Sequence, residues 1–159
     1  MYRIGFSEDI HEIKEGRKLY LAGLYIPCEF GLLGHSDADV ILHAVTEAIF
    51  GALSLGDLGD HFPDNDPKYK DISSSVLLKE ALRLMKNKGY EINNVDVQVA
   101  LAKPRLSSLK EKMKESLASL LETELKNVSI KAMSFNHIGP IGEGKAIKAS
   151  AIVLLKKSK

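Results

Sequence analysis

"GHSDADVILHAV", residues 34–45, decides the fold, because a polar head runs directly into the apolar turns of a helix. Ser36 followed by Asp39 fits the looser form of a capping box, in which Ser36 would cap the first turn. Asp37 and Asp39 would then lie favourably at the positive end of the helix dipole. This structural explanation does not reach His43, which lies inside the helix between Leu and Ala. A lone histidine in such a position is more often a core residue than a ligand.

The flanking sequence alternates between strand and helix patterns. We predict strands over 2–11, 94–102, 127–134 and 146–155, a strand or hairpin over 18–26, and helices over 36–51, 73–88 and 107–122. Residues 51–71, rich in Gly, Asp and Pro, predict a long polar loop. The order of elements predicts one α+β domain spanning 1–159, with helices over one sheet. The apolar end of the last strand indicates burial on both faces, as at a subunit contact.

Composition excludes several classes of protein. The chain has 159 residues, 45% of them hydrophobic, and a formal net charge of +1 without a block of like charges, so no nucleic-acid partner is expected. The single cysteine, Cys28, fits a reducing compartment. The N-terminus lacks the apolar core of a signal peptide, and no run is long enough to span a membrane. We therefore expect a soluble cytoplasmic protein.

The tetrapeptide "EDIH" places Asp9 and His11 two residues apart, so that both project from one face of a strand. Together with His43 they would supply one carboxylate and two imidazoles, a set that suits zinc or another borderline divalent ion. A fourth position would stay open for substrate. A second trio, formed by His35, Asp39 and His43 at four-residue spacing, would share a helix face. This trio is less favoured, because His35 precedes the cap.

Two further motifs fail their templates. "DNDPKY", starting at Asp64, has Lys68 where a calcium loop needs an oxygen ligand and Tyr69 where it needs glycine. "GPIGEGKA", residues 139–146, matches the spacing of a phosphate-binding loop, but Ala146 replaces the magnesium-binding hydroxyl and a strand pattern follows. We interpret the first motif as a solvated turn and the second as a glycine-rich hairpin connection.

The sequence strongly resembles the 2-C-methyl-D-erythritol 2,4-cyclodiphosphate synthase family along essentially its whole length. The resemblance rests on four motifs: "DIH" at 9–11, "GHSDADVILHAV" at 34–45, "LGDLGDHFPDNDPKYK" at 55–70 and "NVDVQVALAKPRL" at 94–106. It implies a two-layer mixed β-sheet with helices packed on one face, assembled as a homotrimer with sites between subunits. The implied reaction converts 4-diphosphocytidyl-2-C-methyl-D-erythritol 2-phosphate into the cyclic diphosphate and CMP, in the non-mevalonate isoprenoid pathway.

The resemblance also implies roles for individual residues. Asp9, His11 and His43 would hold zinc, with the substrate's β-phosphate in the fourth position. His35 and Ser134 would stabilise the charge that develops during phosphoryl transfer. The implied substrate-binding residues are Ser36, Asp57, Gly59, Phe62, Asp66, Leu101, Ala102, Pro104, Arg105, Leu106, Ser107, Met133 and Asn136.

One segment departs from the family pattern. Asn136 stands where the family has a glutamate that holds Mg²⁺ or Mn²⁺ between two phosphates. Glu143 and Lys145 exchange the signs of the family's arginine and glutamate, an exchange that could preserve a salt bridge. Two hypotheses follow: an active synthase, or a paralogue that keeps the fold and the zinc site but acts as a binding or regulatory protein.

Overall fold

The computed structural model describes residues 1–159 as an α+β fold with a five-stranded mixed sheet. The strands are β1 (Tyr2–Glu15), β2 (Leu19–Leu21), β3 (Leu24–Ile26), β4 (Phe30–Leu32), β5 (Tyr90–Ala100), β6 (Val128–Met133) and β7 (Ala146–Lys157). The helices are α1 (Val40–Ala52), α2 (Leu58–His61), α3 (Ser74–Asn87), α4 (Lys110–Leu120) and α5 (Gly139–Gly142). None of them is both long and apolar enough to cross a membrane.

The sheet has the strand order β4-β1-β7-β5-β6, and β2 and β3 form a separate antiparallel hairpin. Only β5 and β6 run parallel; β1 pairs antiparallel with β4 and with β7, and β7 pairs antiparallel with β5. The predicted strands, hairpin and helices are all present, but β4 was missed because its three residues are too few to show a period. The helices cover one face of the sheet, and the main core lies between the sheet and the helices.

Helix α1 lies directly against β1, with no side chain between the two backbones at the closest point. A Cβ added to Gly5 would lie 1.8 Å from the carbonyl oxygen of Ala48, so only glycine fits there. The helix is buried almost all round, including His43. This contact brings the middle of α1 onto the face of β1 that carries Asp9 and His11.

The start of α1 differs from the prediction. Asp39, not Ser36, is the N-cap, and its carboxylate accepts a hydrogen bond from Leu42 N at 3.0 Å. The same carboxylate accepts bonds from the backbone N–H groups of Ala22 and Gly23 in the β2–β3 turn, at 3.1 and 2.7 Å. Burial raises the pKa of Asp39 to about 6, although the hydrogen bonds from Gly23 and Leu42 oppose the shift. Asp39 is fully buried and holds the hairpin to the helix, so the presence of a carboxylate at this position has a structural explanation.

The face of the sheet opposite the helices carries a cluster of exposed apolar side chains. Its members on β1 and β7 are Tyr2, Ile4, Phe6, Ile10 and Ile152, each between 45% and 68% exposed. Ile4 pairs with Leu154 and Phe6 with Ile152 across the two central strands, so the cluster is continuous. The apolar side chains at positions 2, 4, 6 and 10 of β1 thus face away from the core, while Gly5 and Asp9 face α1. We call this surface the open sheet face.

Two connections are more ordered or differently placed than expected. The predicted polar loop 51–71 contains the one-turn helix α2 and a short 3-10 turn at Pro67–Tyr69. The segment 139–146 is not a hairpin connection, because β5 lies between β6 and β7 in the sheet. It is not a phosphate-binding loop either, since a strand follows Lys145, whose ammonium pairs with Glu143 at 2.6 Å. Glu143 and Lys145 therefore do form a salt bridge in this chain.

Replacing Gly5 with alanine should destabilise the protein by about 3 kcal/mol or more, because the new Cβ must push α1 away from β1. The free energy of unfolding, measured by urea denaturation, tests this prediction. Gly51→Ala is the matched control: its Cβ meets nothing within 4 Å, and replacing glycine within a helix should stabilise by about 0.5–1 kcal/mol. Equal effects of the two substitutions would contradict the proposed contact.

Candidate metal centre and adjoining cavities

Asp9, His11 and His43 bring three potential metal-ligating atoms together. Asp9 Oδ2 lies 2.9 Å from His11 Nε2 and 3.0 Å from His43 Nδ1, and the two nitrogens are 3.3 Å apart. The atoms all lie within 4.8 Å of one another, and no other group of histidine, cysteine, aspartate and glutamate side chains meets this condition. One carboxylate and two imidazoles are an appropriate donor set for a borderline divalent ion. The trio predicted from the sequence can therefore hold a metal.

The pKa shifts of Asp9 and His11 show that positive charge is favoured beside the Asp9 carboxylate. Burial alone would raise the pKa of Asp9, but hydrogen bonds from His11 and His43 outweigh it and hold that pKa well below its usual range. Burial is the largest influence on His11 and would lower its pKa, but the hydrogen bond and charge of Asp9, together with the hydrogen bond to Leu33, outweigh it and raise that pKa. A bound divalent cation would supply the same positive charge to the Asp9 carboxylate, so metal and protons compete for this site.

Neighbouring groups orient both imidazoles. His11 Nδ1–H donates to the carbonyl of Leu33 at 2.6 Å, which leaves Nε2 free to ligate. His43 Nε2 lies 3.0 Å from Ser36 Oγ and 2.9 Å from Ser74 Oγ, which leaves Nδ1 directed at Asp9. These bonds present the ligating nitrogens toward one point before any metal binds.

The role of Ser74 could not be read from the sequence. Ser74 is fully buried at the start of α3, and its hydroxyl and backbone N–H both donate to Asp37. Asp37 therefore holds Ser74 in place, and Ser74 in turn orients His43, which lies 31 residues earlier in the chain. The sequence signal was only a serine near the start of a predicted helix, which also describes an ordinary cap. The contact depends on how α3 docks against α1.

His35 lies on a loop that is held by hydrogen bonds on both sides. The guanidinium of Arg17 donates to the carbonyls of Gly34 and Ser36, at 3.2 and 2.8 Å, and thus brackets His35. The carbonyl of His35 itself accepts from Asp71 N at 2.8 Å. The loop backbone is therefore fixed, and His35 lines the same cavity as the three potential ligands. Asp39 points away into the core, so the alternative trio of His35, Asp39 and His43 does not form.

A cavity of about 260 Å³ adjoins the three potential ligands. It is lined by Asp9, His11, Gly34, His35, Ser36, His43, Leu58, Phe62, Asp64, Tyr69, Ile72 and Leu77. Among the predicted substrate-binding residues, Ser36 and Phe62 belong to this lining. Asp57 is the N-cap of α2 and lies just outside it together with Gly59. Asp66 caps the 3-10 turn, and its carbonyl lies 3.3 Å from His35 Nε2.

A second cavity, of about 520 Å³, collects the other predicted residues. Its lining comprises Leu101, Ala102, Pro104, Arg105, Leu106, Ser107, Lys110, Ala132, Met133, Ser134, Asn136, His137 and Gly142. Sequence reasoning missed Lys110, Ala132, His137 and Gly142, because α4, β6, a 3-10 turn and α5 bring them to the cavity from outside the quoted motifs. The two cavities share no lining residue, so Ser134 does not join His35 within one chain.

The residues at the second cavity do not fit the second divalent cation that the resemblance implies. Mg²⁺ and Mn²⁺ favour carboxylate oxygens, and no aspartate or glutamate lines this cavity. Asn136 offers a single amide oxygen, which lies 3.3 Å from the hydroxyl of Ser134 and accepts a hydrogen bond from it. A protein-held second cation is therefore not supported at this place.

Comparison with known proteins agrees with this geometry. The model of the YgbB family matches residues 2–156. The chain belongs to the YgbB family. A curated relative from Brachyspira hyodysenteriae, named 2-C-methyl-D-erythritol 2,4-cyclodiphosphate synthase, is 50% identical over 157 residues, which cover 99% of each protein. A relative with the same name from Solibacter usitatus is 48% identical over 155 residues, covering 98% of each protein.

Solved structures of this family share the fold. A structure described as 2C-methyl-D-erythritol-2,4-cyclodiphosphate synthase in a CDP-bound form superposes with a TM-score of 0.90 at 36% identity, covering 97% of this chain and all of that one. The IspF CDP complex from Plasmodium falciparum gives a TM-score of 0.87 at 34% identity, covering 99% of this chain and 97% of the other. The likeness thus extends over practically the whole chain.

His43→Ala should abolish stoichiometric metal binding while the protein remains folded, because it removes one of three ligands on a helix that is otherwise held by its apolar residues. Elemental analysis after dialysis measures the metal, and circular dichroism checks the fold. His61→Ala is the control of the same residue type, since His61 lies outside the trio. Undiminished metal in the His43 variant would refute the ligand assignment.

Proposed function

We propose that this protein is a 2-C-methyl-D-erythritol 2,4-cyclodiphosphate synthase, a phosphorus–oxygen lyase of the non-mevalonate isoprenoid pathway, and that residues 1–159 form one catalytic domain. The observation that carries this proposal is the convergence of Asp9, His11 and His43 beside His35. It occurs in a chain that matches enzymes of that name over almost its whole length. The lone cysteine is compatible with a cytoplasmic location.

The proposed reaction is an intramolecular phosphoryl transfer. An oxygen of the substrate's 2-phosphate attacks the β-phosphorus, a new P–O bond closes the ring, and the bond to the α-phosphate breaks to release CMP. Both reacting groups are anionic, so positioning and charge neutralisation must supply most of the catalysis. A site that favours positive charge, as the Asp9–His11–His43 trio does, suits this requirement.

The metal proposed for the trio is Zn²⁺, for which one carboxylate and two imidazoles with an open fourth position are typical ligands. When bound, zinc would polarise a phosphoryl oxygen as a Lewis acid. The chain's own contribution is to orient both imidazoles through Leu33, Ser36 and Ser74, so that the ligand atoms need not move.

The remaining roles are those that the family resemblance implies, and several of the residues concerned line the two cavities. His35, held by its bracketed loop, would donate a hydrogen bond to the phosphate on which charge develops, and Ser36 would bind phosphate nearby. Asp57, Gly59, Phe62 and Asp66 would contact the erythritol portion. The second cavity would hold the cytidine and its phosphates between residues 101–107 and residues 133–136, with Ser134 near the reacting group. Two solved relatives are described as CDP-bound, which supports a cytidine nucleotide as its occupant.

We also propose that the active form is a homotrimer. Two observations support this assembly: the open sheet face exposes a continuous apolar cluster, and His35 and Ser134 line separate cavities. A partner copy that packs on the open sheet face would bury the cluster, and it would bring the second cavity of one copy to the metal centre of another. The altered segment 133–146 leaves the metal centre intact, and no observation favours the paralogue without turnover.

CMP release from 4-diphosphocytidyl-2-C-methyl-D-erythritol 2-phosphate tests the function directly. The zinc-loaded protein should release CMP, and His35→Gln should lower kcat by about 10²–10³-fold, the usual loss when a donor to a developing oxyanion is removed. Zinc content should be unchanged in that variant, which separates loss of catalysis from loss of metal. No CMP release from a folded, zinc-loaded trimer would refute the proposal.

Phe6→Asp should prevent trimer formation, because it places a charge in the centre of the apolar cluster that the partner would bury. Light scattering after size-exclusion chromatography gives the mass of each variant. Val76→Asp is the control, since Val76 is also exposed but lies on α3, away from the open sheet face. A trimer with unchanged stability in the Phe6 variant would exclude this face as the interface.

A further inference from the structure

The second cavity differs from the metal centre in the sign of its charged residues. Arg105 and Lys110 line it, and no carboxylate does. Neither of the two forms an ion pair with an acidic side chain of the chain. Glu111, which follows Lys110, does not line the cavity, and Glu143, which follows the lining residue Gly142, is paired with Lys145 at 2.6 Å. Both cations of the cavity are therefore available to an anionic ligand.

The backbone explains why an asparagine occupies position 136. Phe135, Asn136 and His137 have φ values of 57°, 46° and 67°, so three successive residues adopt the left-handed conformation. Asparagine and histidine enter this region more readily than most residues. A Cβ on Gly142 would lie 2.7 Å from the carbonyl carbon of His137, so the turn is also held from the side by α5. Asparagine at position 136 is therefore explained by the left-handed backbone conformation of the turn.

The side chain of Asn136 is itself engaged. Its amide oxygen accepts from the hydroxyl of Ser134 at 3.3 Å, and its backbone N–H lies 3.3 Å from the same hydroxyl. An amide oxygen in such a local bond carries no net charge to offset a divalent cation. Nothing at this turn supplies the anionic ligand that Mg²⁺ usually requires.

From this donor set we infer that the cavity binds the diphosphate of its cytidine nucleotide through the side-chain cations Arg105 and Lys110, without a second divalent cation held by the protein. A guanidinium can contact two phosphate oxygens at once, and a lysine adds a point charge. The inference rests on the proposed function for the identity of the nucleotide. It replaces metal-mediated recognition of the two phosphates by direct recognition.

CDP is the probe for the test. Isothermal titration calorimetry would measure its Kd for the zinc-loaded trimer in buffer freed of other divalent ions, and again with saturating Mg²⁺. We expect the Kd to stay within about threefold, or to rise, because Mg²⁺ bound to CDP competes with the two side chains. A Kd that falls by about tenfold or more on adding Mg²⁺ would overturn the inference.

Asn136→Asp adds a carboxylate of nearly the same shape in a residue that also tolerates the left-handed conformation. It should weaken CDP binding about tenfold in Mg²⁺-free buffer by repulsion of like charges, and Mg²⁺ should restore the affinity. Asn87→Asp, at the exposed end of α3, makes the same charge change far from the cavity and should do neither. A variant at position 136 that behaves like this control would show that the turn does not face the diphosphate, and would overturn the inference.

Lys110→Ala should weaken CDP binding about tenfold without Mg²⁺, the effect of losing about 1.4 kcal/mol from one phosphate contact. Lys112→Ala, an exposed residue of the same helix that does not line the cavity, is the matched control. Equal Kd values for these two variants would count against the inference.

CMP release, measured on the same preparations, separates the inference from the proposed function. Turnover combined with Mg²⁺-dependent CDP binding would overturn the inference alone. If CDP binds neither with nor without Mg²⁺, the inference and the proposed function are both overturned.

Discussion

The close approach of α1 to β1 is the constraint on which the metal centre depends. At Gly5 the two backbones touch, and this contact is possible because no side chain separates them. Two of the potential ligands come from β1 and the third from α1, so the distance between these elements sets the geometry of the trio. Opposite α1 the inward face of β1 is consequently small or polar, and Tyr2, Ile4, Phe6 and Ile10 are left for the open sheet face.

Much of this arrangement could be predicted from the sequence, because helical and strand periods are local signals. The Asp-x-His pair on a strand and His43 on a helix were recognised as possible ligands, since residue type and spacing are sufficient to propose them. Two features were not predictable in this way. Alternation on β1 reveals two faces but not which one meets the helices, and a short strand such as β4 has no period at all.

The cap of α1 shows a second limit. Ser36 and Asp39 both fit the rules for a helix start, and the choice between them depends on the β2–β3 turn, which lies more than fifteen residues earlier. Ser74 and Arg17 were missed for the same reason: each acts on a loop or ring brought near by tertiary packing. Local rules propose the ligands, whereas the groups that orient them are fixed by contacts between distant elements.

The shared carboxylate of Asp39 couples parts of the chain that would otherwise vary independently. It begins the helix that carries His43 and also holds Ala22 and Gly23 of the hairpin turn. Gly23 has a φ of 76°, and a Cβ there would lie 2.6 Å from the side chain of Leu120. The turn therefore has little freedom to accept insertions or larger residues, and its sequence should covary with position 39 among relatives. In directed evolution, the hairpin would behave as part of the metal centre despite touching none of its ligands.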